Sequence, residues 1–295
     1  MKKSLDKVVI PVAGLGTRML PATKAIPKEM LPILDKPIIQ YVVEECILAG
    51  FKEIILITHS SKNSIENHFD TSFELESTLE KRIKKSLLKE IRLISKLNIN
   101  IVSIRQSEAL GLGHAILQAK NIIGNNPFAV VLPDRVMNLS TSDAKKDNLA
   151  EMRKNYFELK RSIILVEKVL KKEVENYGIA SFGKKVSLKN LKEIKDIVEK
   201  PKIKKAPSNM AVVGRYILEP EVFEFIEENE KTNKEIELTD AIRAYINSGE
   251  KVYASFLKGE CFDCGNKEGY FKSILKTGLE RPEFRKEITK LVKNL

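Results

Sequence analysis

The sequence predicts an α/β fold with a largely parallel mixed sheet flanked by helices, and two observations carry that prediction. Apolar, strand-like runs at residues 8–12, 54–58, 99–105, 128–132 and 163–166 alternate with stretches of helical character, as they do when crossover helices join parallel strands. The first run ends in a turn containing Gly14, Gly16, Thr17 and Arg18, and open α/β sheets hold ligands beyond the carboxyl ends of their strands.

Taken in order, the first run is Val8, Val9, Ile10 and Val12, interrupted by Pro11. Gly14 and Gly16 lack Cβ atoms, so the backbone can reach positive φ and point successive N–H groups at an anion. Arg18 adds a planar, permanently charged fork suited to phosphate oxygens. Two familiar phosphate motifs fail: Met19 stands where a dinucleotide fingerprint needs its third glycine, and no Gly-Lys-Ser/Thr follows for a P-loop. Pro21, Pro27 and Pro32 punctuate the segment bearing Lys24, Lys28 and Glu29. Prolines fix φ, so this segment is expected to be extended, stiff and non-helical, with its lysines beside the glycine turn.

Residues 38–49 carry apolar side chains at helical spacing and stop at Gly50. Leu75, Leu79, Ile83, Leu87 and Ile91 recur every four residues, which predicts one long amphipathic helix with a core-facing stripe. From Gly178 the pattern shortens to strand candidates at 179–182, 193–200 and 211–218, a hairpin-containing region. Helices are expected at 220–228 and 238–247, then a strand at 252–257, a helix ending near Gly278 and a terminal helix over 282–295. Neither a low-complexity linker nor an internal repeat divides the chain, so residues 1–295 are expected to form a single catalytic domain.

Composition narrows the classes. The chain has 295 residues, 43% of them hydrophobic, enough for a sizeable core. No apolar run approaches the roughly 20 residues needed to span a bilayer, and Met1-Lys2-Lys3 leads into a strand rather than a signal-peptide core. A cytoplasmic protein without a membrane partner is expected. Three cysteines make no disulfide framework, and the C-x-x-C pair Cys261 and Cys264 lacks nearby histidines for a zinc site. The net charge of +11 arises from 51 basic and 40 acidic residues. Its lysines are scattered among acids and aromatic residues are only 6%, so no nucleic-acid role is expected.

The stretch GLGTRMLPATKAIPKEMLP resembles the signature of the sugar-1-phosphate nucleotidyltransferases. Further stretches agree in family order along nearly the whole chain: THSSKNSIENHFD (58–70), GLGHA (111–115), LPD (132–134), VEKP (198–201), SNMAVVGRY (208–216), EIELTDAI (235–242) and DCGNKEGY (263–270). Its wording is most similar to the bacterial members that act on UTP and glucose 1-phosphate. The resemblance implies a Rossmann-like nucleotidyltransferase fold with a sugar-side hairpin, and uridylyl transfer giving UDP-glucose and pyrophosphate. It also implies Mg²⁺ as cofactor and a homodimer or homotetramer.

On the matching positions, the resemblance implies that Ala13, Gly14, Gly16, Thr17, Gln106 and Gly111 bind the nucleotide, Gln106 and Gly111 at the uracil edge. Arg18 and Lys28 become the catalytic cations. Gly178 and Glu199 hold glucose hydroxyls and Lys200 the sugar phosphate. Asp134 and Asp263 become the metal ligands, reasonable because a hard cation with oxygen ligands neutralises phosphate oxygens. Arg135 stands next to Asp134, where a cation competes with the metal unless it points away. His114 opens a helix and needs no catalytic role. A thymidylyl- or cytidylyltransferase on the same scaffold stays open, as does a non-catalytic sugar-nucleotide-binding regulator.

Overall fold

The computed structural model describes every residue except 1–2, 83, 96–98, 184–189, 232–234 and 294–295. In chain order its first half comprises β1 (Lys7–Pro11), the two-residue strands β2 (Pro32–Ile33) and β3 (Lys36–Pro37), α1 (Ile38–Leu48), β4 (Glu53–Thr58), α2 (Asn63–Phe69), α3 (Phe73–Lys81), α4 (Lys85–Ser95), β5 (Asn100–Arg105), α5 (Leu112–Leu117), α6 (Lys120–Ile123), β6 (Phe128–Val131) and β7 (Arg135–Met137). The second half adds α7 (Leu149–Leu159), β8 (Ser162–Lys168), β9 (Gly178–Phe182), β10 (Lys192–Glu199), β11 (Met210–Leu218), α8 (Val222–Glu230), α9 (Leu238–Asn247), β12 (Val252–Phe256), β13 (Cys261–Asp263), α10 (Lys267–Glu280) and α11 (Pro282–Lys293).

Nine strands form one sheet in the order β5-β4-β1-β6-β11-β8-β12-β10-β9. The half around β1 is parallel, with β1 between β4 and β6. Strand β11 then runs antiparallel to both β6 and β8, and β9 and β10 form an antiparallel hairpin at the far edge. A sheet covered on both faces needs strands that are apolar throughout, and Val8, Val9 and Ile10 of β1 are all fully buried. Period-two alternation sorts them: Val9, Ile55, Ile57, Phe128 and Val130 pack on one face with α5, α8 and α9. Val8, Ile10, Ile54, Leu56 and Val131 pack on the other with α1 and α7.

A third, smaller core sits apart from those layers. Met19, Leu31, Ile33, Ile38, Val136, Phe262 and Cys264 cluster together, joining the proline segment to a two-stranded ribbon in which β13 pairs antiparallel with β7. Asp263 therefore lies on this ribbon and not at the end of the predicted strand at 252–257. The short register β7–β13 was invisible to periodicity, since three residues define no period.

Two further expectations need correction. The predicted long helix is two helices, α3 and α4, that fold back on each other. Arg92 reaches Glu76 Oε2 at 2.9 Å and also bonds Glu80, contacts that a continuous helix rising about 1.5 Å per residue cannot make. Leu79 and Leu88 are buried while Leu75 and Leu87 stay exposed, so the four-residue stripe does not face one core; Ile83 lies outside the described residues. The proline segment is not extended either. It winds into three 3₁₀ turns, Thr17–Met19, Ala22–Lys24 and Lys28–Met30. Proline φ suits such turns as well as extended chain, and Thr23 Oγ1 fastens the middle one by donating to the Gly16 carbonyl at 2.7 Å. Among the described residues no helix is long and apolar enough to cross a membrane.

Candidate active site

The glycine turn leaves β1 at the carboxyl edge of the parallel half, beside the cleft. Ala13 is buried; Gly14, Thr17 and Arg18 are exposed. Gly16 has φ 67°, and a Cβ there would crowd Lys28 Cβ and Thr23 at 3.3 Å. A glycine is thus what lets the Lys28 turn lie directly on the loop. Lys28 Nζ sits 2.6 Å from Asp134 Oδ2. Burial alone would lower the Lys28 pKa, but Asp134 and then Glu29 overcome it and hold it above the ordinary lysine value. The Asp134 carboxyl is the mirror image: burial pushes it up, Lys28 pulls it down, and it ends below the usual carboxylate range.

Asp134 is placed from beneath by a buried ion pair. Arg215 on β11 donates from Nη1 to the Leu132 carbonyl at 3.2 Å and from Nη2 to the Arg135 carbonyl at 2.6 Å, so it grips both flanks of Asp134. Glu45 of α1 accepts from Nε and Nη2 of the same guanidinium at 3.1 and 2.6 Å. The Cys264 N–H closes the turn from the ribbon by donating to the Asp134 carbonyl at 2.7 Å. These bonds bring Asp263 alongside. A Cβ added to Gly265 would lie 2.7 Å from Asp134 Oδ2 and 3.1 Å from Asp263 Oδ1; both carboxylates converge on that glycine.

Two converging carboxylates fit a divalent ion that takes its other oxygens from water and substrate phosphates. Among the described residues no group of three or more His, Cys, Asp or Glu could hold a metal without such help. Arg135 makes its ion pairs away from Asp134 but reaches Asp263, the other candidate ligand. It pairs with Glu167 and lies 3.6 Å from Asp263 Oδ2, its guanidinium 5.6 Å from the centre of the Tyr177 ring. Arg18, Arg135, Glu167, Lys168, Tyr177 and Asp263 share a cleft of about 990 Å³.

Gln106 follows β5 and Gly111 caps the start of α5. Gln106 is buried, with Nε2 2.8 Å from His114 Nδ1, so His114 orients the amide. Gly111 has φ +105°, and a Cβ there would meet the Ile236 carbonyl at 2.6 Å. That loop is held to residue 236 by backbone bonds from Gly113 N–H and Ile236 N–H of 2.7 and 2.8 Å.

On the other side, Gly178 and Glu199 face each other across the β9–β10 hairpin. Thr239 Oγ1 at the start of α9 donates to Glu199 Oε2 at 2.7 Å, and a Cβ on Gly178 would crowd both groups at 3.2 Å. Neighbours in a strand point to opposite faces, yet Lys200 Nζ is 3.1 Å from Glu199 Oε1. The cause is a left-handed Lys200, φ 40°, a strained conformation for a non-glycine residue that also precedes proline. The Lys200 N–H donates to the Tyr177 carbonyl at 3.0 Å, while Tyr177 Oη lies 3.5 Å from Asp263 Oδ2. Tyr177 thus links the β9–β10 hairpin to the carboxylate pair.

Comparison with known proteins decides the family. The pattern of the nucleotidyl transferases matches residues 7–278.

The chain belongs to the nucleotidyl transferase family.

It is 51% identical over 291 residues to the UTP–glucose-1-phosphate uridylyltransferase of Haemophilus influenzae, covering 98% of each chain. It is 51% identical over 277 residues to the enzyme of that name from Escherichia coli K12, covering 93% of this chain and 91% of the other. Among solved structures, UTP-bound UGPase from Acinetobacter baumannii superposes with a TM-score of 0.89 at 44% identity, covering 99% of this chain and 100% of the other. A UDP-glucose pyrophosphorylase complexed with UDP-glucose gives 0.83 at 41% identity, covering 94% and 100%.

In this nucleotidyl transferase the residues that sequence reasoning passed over are those that act through others. Arg215 is one charge in the apolar run AVVGRYIL, and a cation in the middle of a buried strand was a signal that it needed a partner. Thr239 and Gly265 carried no such signal, because a threonine beginning a helix and a glycine in a turn are ordinary.

Proposed function

We propose that this nucleotidyl transferase moves the uridylyl group of UTP to α-D-glucose 1-phosphate, releasing pyrophosphate and UDP-glucose. The observation that carries the reading is the pairing of Lys28 with Asp134 and of Glu199 with Lys200, the second pair joined to Asp263 through Tyr177. It is supported by near-full-length relatives named for that reaction.

The nucleotide phosphates lie against the amides of Ala13, Gly14, Gly16 and Thr17, with Arg18 and Lys28 as cations. Gln106 and the Gly111 backbone read the base. Glu199 and the Gly178 backbone hold the glucose hydroxyls, and Lys200 steers the sugar phosphate so that one of its oxygens faces the α-phosphorus. That oxygen attacks in line; the bond to the β-phosphate oxygen breaks, and pyrophosphate leaves with the electron pair. The protein contributes position and charge stabilisation rather than a covalent intermediate. Asp134 and Asp263 would hold Mg²⁺, which neutralises charge on the phosphate oxygens when bound.

A cytoplasmic location without nucleic-acid or membrane partners, and a homo-oligomeric state, belong to this proposal. The scattered lysines support the lack of a nucleic-acid partner, and the homo-oligomeric state rests on the family resemblance. The test is turnover: UTP, glucose 1-phosphate and Mg²⁺ should give UDP-glucose and pyrophosphate in equal amounts. Binding of UDP-glucose with no turnover would instead identify a regulator.

A further inference from the structure

The stretch THSSKNSIENHFD begins on the last residue of β4 and runs through α2. Its Lys62 side chain is only 5% exposed. The ammonium donates to the Gly14 carbonyl at 2.7 Å and to Glu29 Oε2 at 2.8 Å. Gly14 belongs to the anion-facing turn, and Glu29 directly follows Lys28 in the 3₁₀ turn that presents the catalytic cation. One buried group therefore ties the two halves of the phosphate site to each other and to the end of β4.

Stability alone does not account for this pair. Burying an ammonium and a carboxylate costs several kcal/mol per ion, and an apolar pair of similar volume is often at least as stable. Compensation here is incomplete, since Glu29 Oε1 is buried without a hydrogen-bond partner. A counter-ion role alone also leaves the bond to the Gly14 carbonyl unexplained, and that bond fixes the plane of the Gly14–Leu15 peptide at the centre of the glycine turn.

Building on the uridylyltransferase reading, we propose that Lys62 is a positioning residue for the nucleotide half of the reaction, setting the glycine turn and Lys28 in register with each other. It acts through Gly14 and Glu29 and needs no contact with substrate. A displacement of about 1 Å in such a group costs on the order of a hundredfold in rate.

The experiment compares the parent with Lys62→Met/Glu29→Gln, which removes both charges and so leaves no unpaired buried ion, and with Lys62→Gln, whose shorter amide can still donate to a carbonyl. Thermal melting and initial rates are measured with UTP and glucose 1-phosphate varied in turn. The expected result is a double variant that melts cooperatively, with kcat/KM for UTP down by at least about thirtyfold and KM for glucose 1-phosphate within about twofold of the parent. Lys62→Gln should fall between. Parent-like UTP kinetics in either folded variant would overturn the proposal. So would equal rises in KM for both substrates, which mark a general loss of structure. A parent that turns over no UTP would instead defeat the functional reading beneath it.

Discussion

The Lys28 ammonium rests 2.6 Å from the Asp134 carboxylate although the two residues are 106 positions apart. This contact joins the cation proposed to face the nucleotide phosphates to a carboxylate proposed to hold the metal. Each stabilises the charged form of the other.

Lys28→Ala should fold normally and lose at least about a hundredfold in kcat, the scale of one preorganised charge-stabilising group. Circular dichroism with steady-state kinetics checks it. Unchanged turnover in a folded variant would remove Lys28 from the mechanism.

Chelation should abolish activity without unfolding, and Mg²⁺ should restore it. Asp134→Asn should raise the Mg²⁺ concentration required for half-maximal rate. Each carboxylate already faces a cation, Asp134 facing Lys28 at 2.6 Å and Asp263 facing Arg135 at 3.6 Å, so the two variants report on the ion separately. If Asp263→Asn shifts the Mg²⁺ requirement and Asp134→Asn does not, the assignment of the Leu132-Pro133-Asp134 turn fails.

Gly265→Ala is the sharper probe of the same place. Its methyl would sit 2.7 Å from Asp134 Oδ2 and 3.1 Å from Asp263 Oδ1, so the carboxylates must part. The expected outcome is a folded protein with a several-fold higher Mg²⁺ requirement; a parent-like titration would show that the pair does not act on one ion.

Thr239→Val keeps the side-chain shape and removes the bond to Glu199. Loss of one hydrogen bond to a charged group is worth about 1.5–3 kcal/mol, which corresponds to roughly a ten- to hundredfold loss in kcat/KM for glucose 1-phosphate. The KM for UTP should stay put, and substrate-by-substrate kinetics will tell.

Much of this arrangement was readable in the chain. Apolar runs betrayed the parallel half of the sheet because strands buried on both faces, like β1, have no polar positions to confuse the pattern. The glycine turn, Lys28 and the hairpin bearing Glu199 carried local signals in glycine and proline. The ribbon with Asp263 did not, since β7 and β13 are three residues each and pair across more than a hundred positions of sequence. Nor could periodicity foresee the break between α3 and α4, beyond which Arg92 meets Glu76 and Glu80. Supporting contacts such as Arg215 on the flanks of Asp134 emerge only when distant segments meet.

The most direct measurement of the central claim is pyrophosphate release from purified protein with glucose 1-phosphate, Mg²⁺ and each of UTP, dTTP, CTP, ATP and GTP in turn. UTP should give UDP-glucose with the highest kcat/KM. Its margin over dTTP should be modest, because rejecting one methyl is worth only about 1–3 kcal/mol. Equal or better kcat/KM with dTTP, or no pyrophosphate from any of the five, would contradict the account.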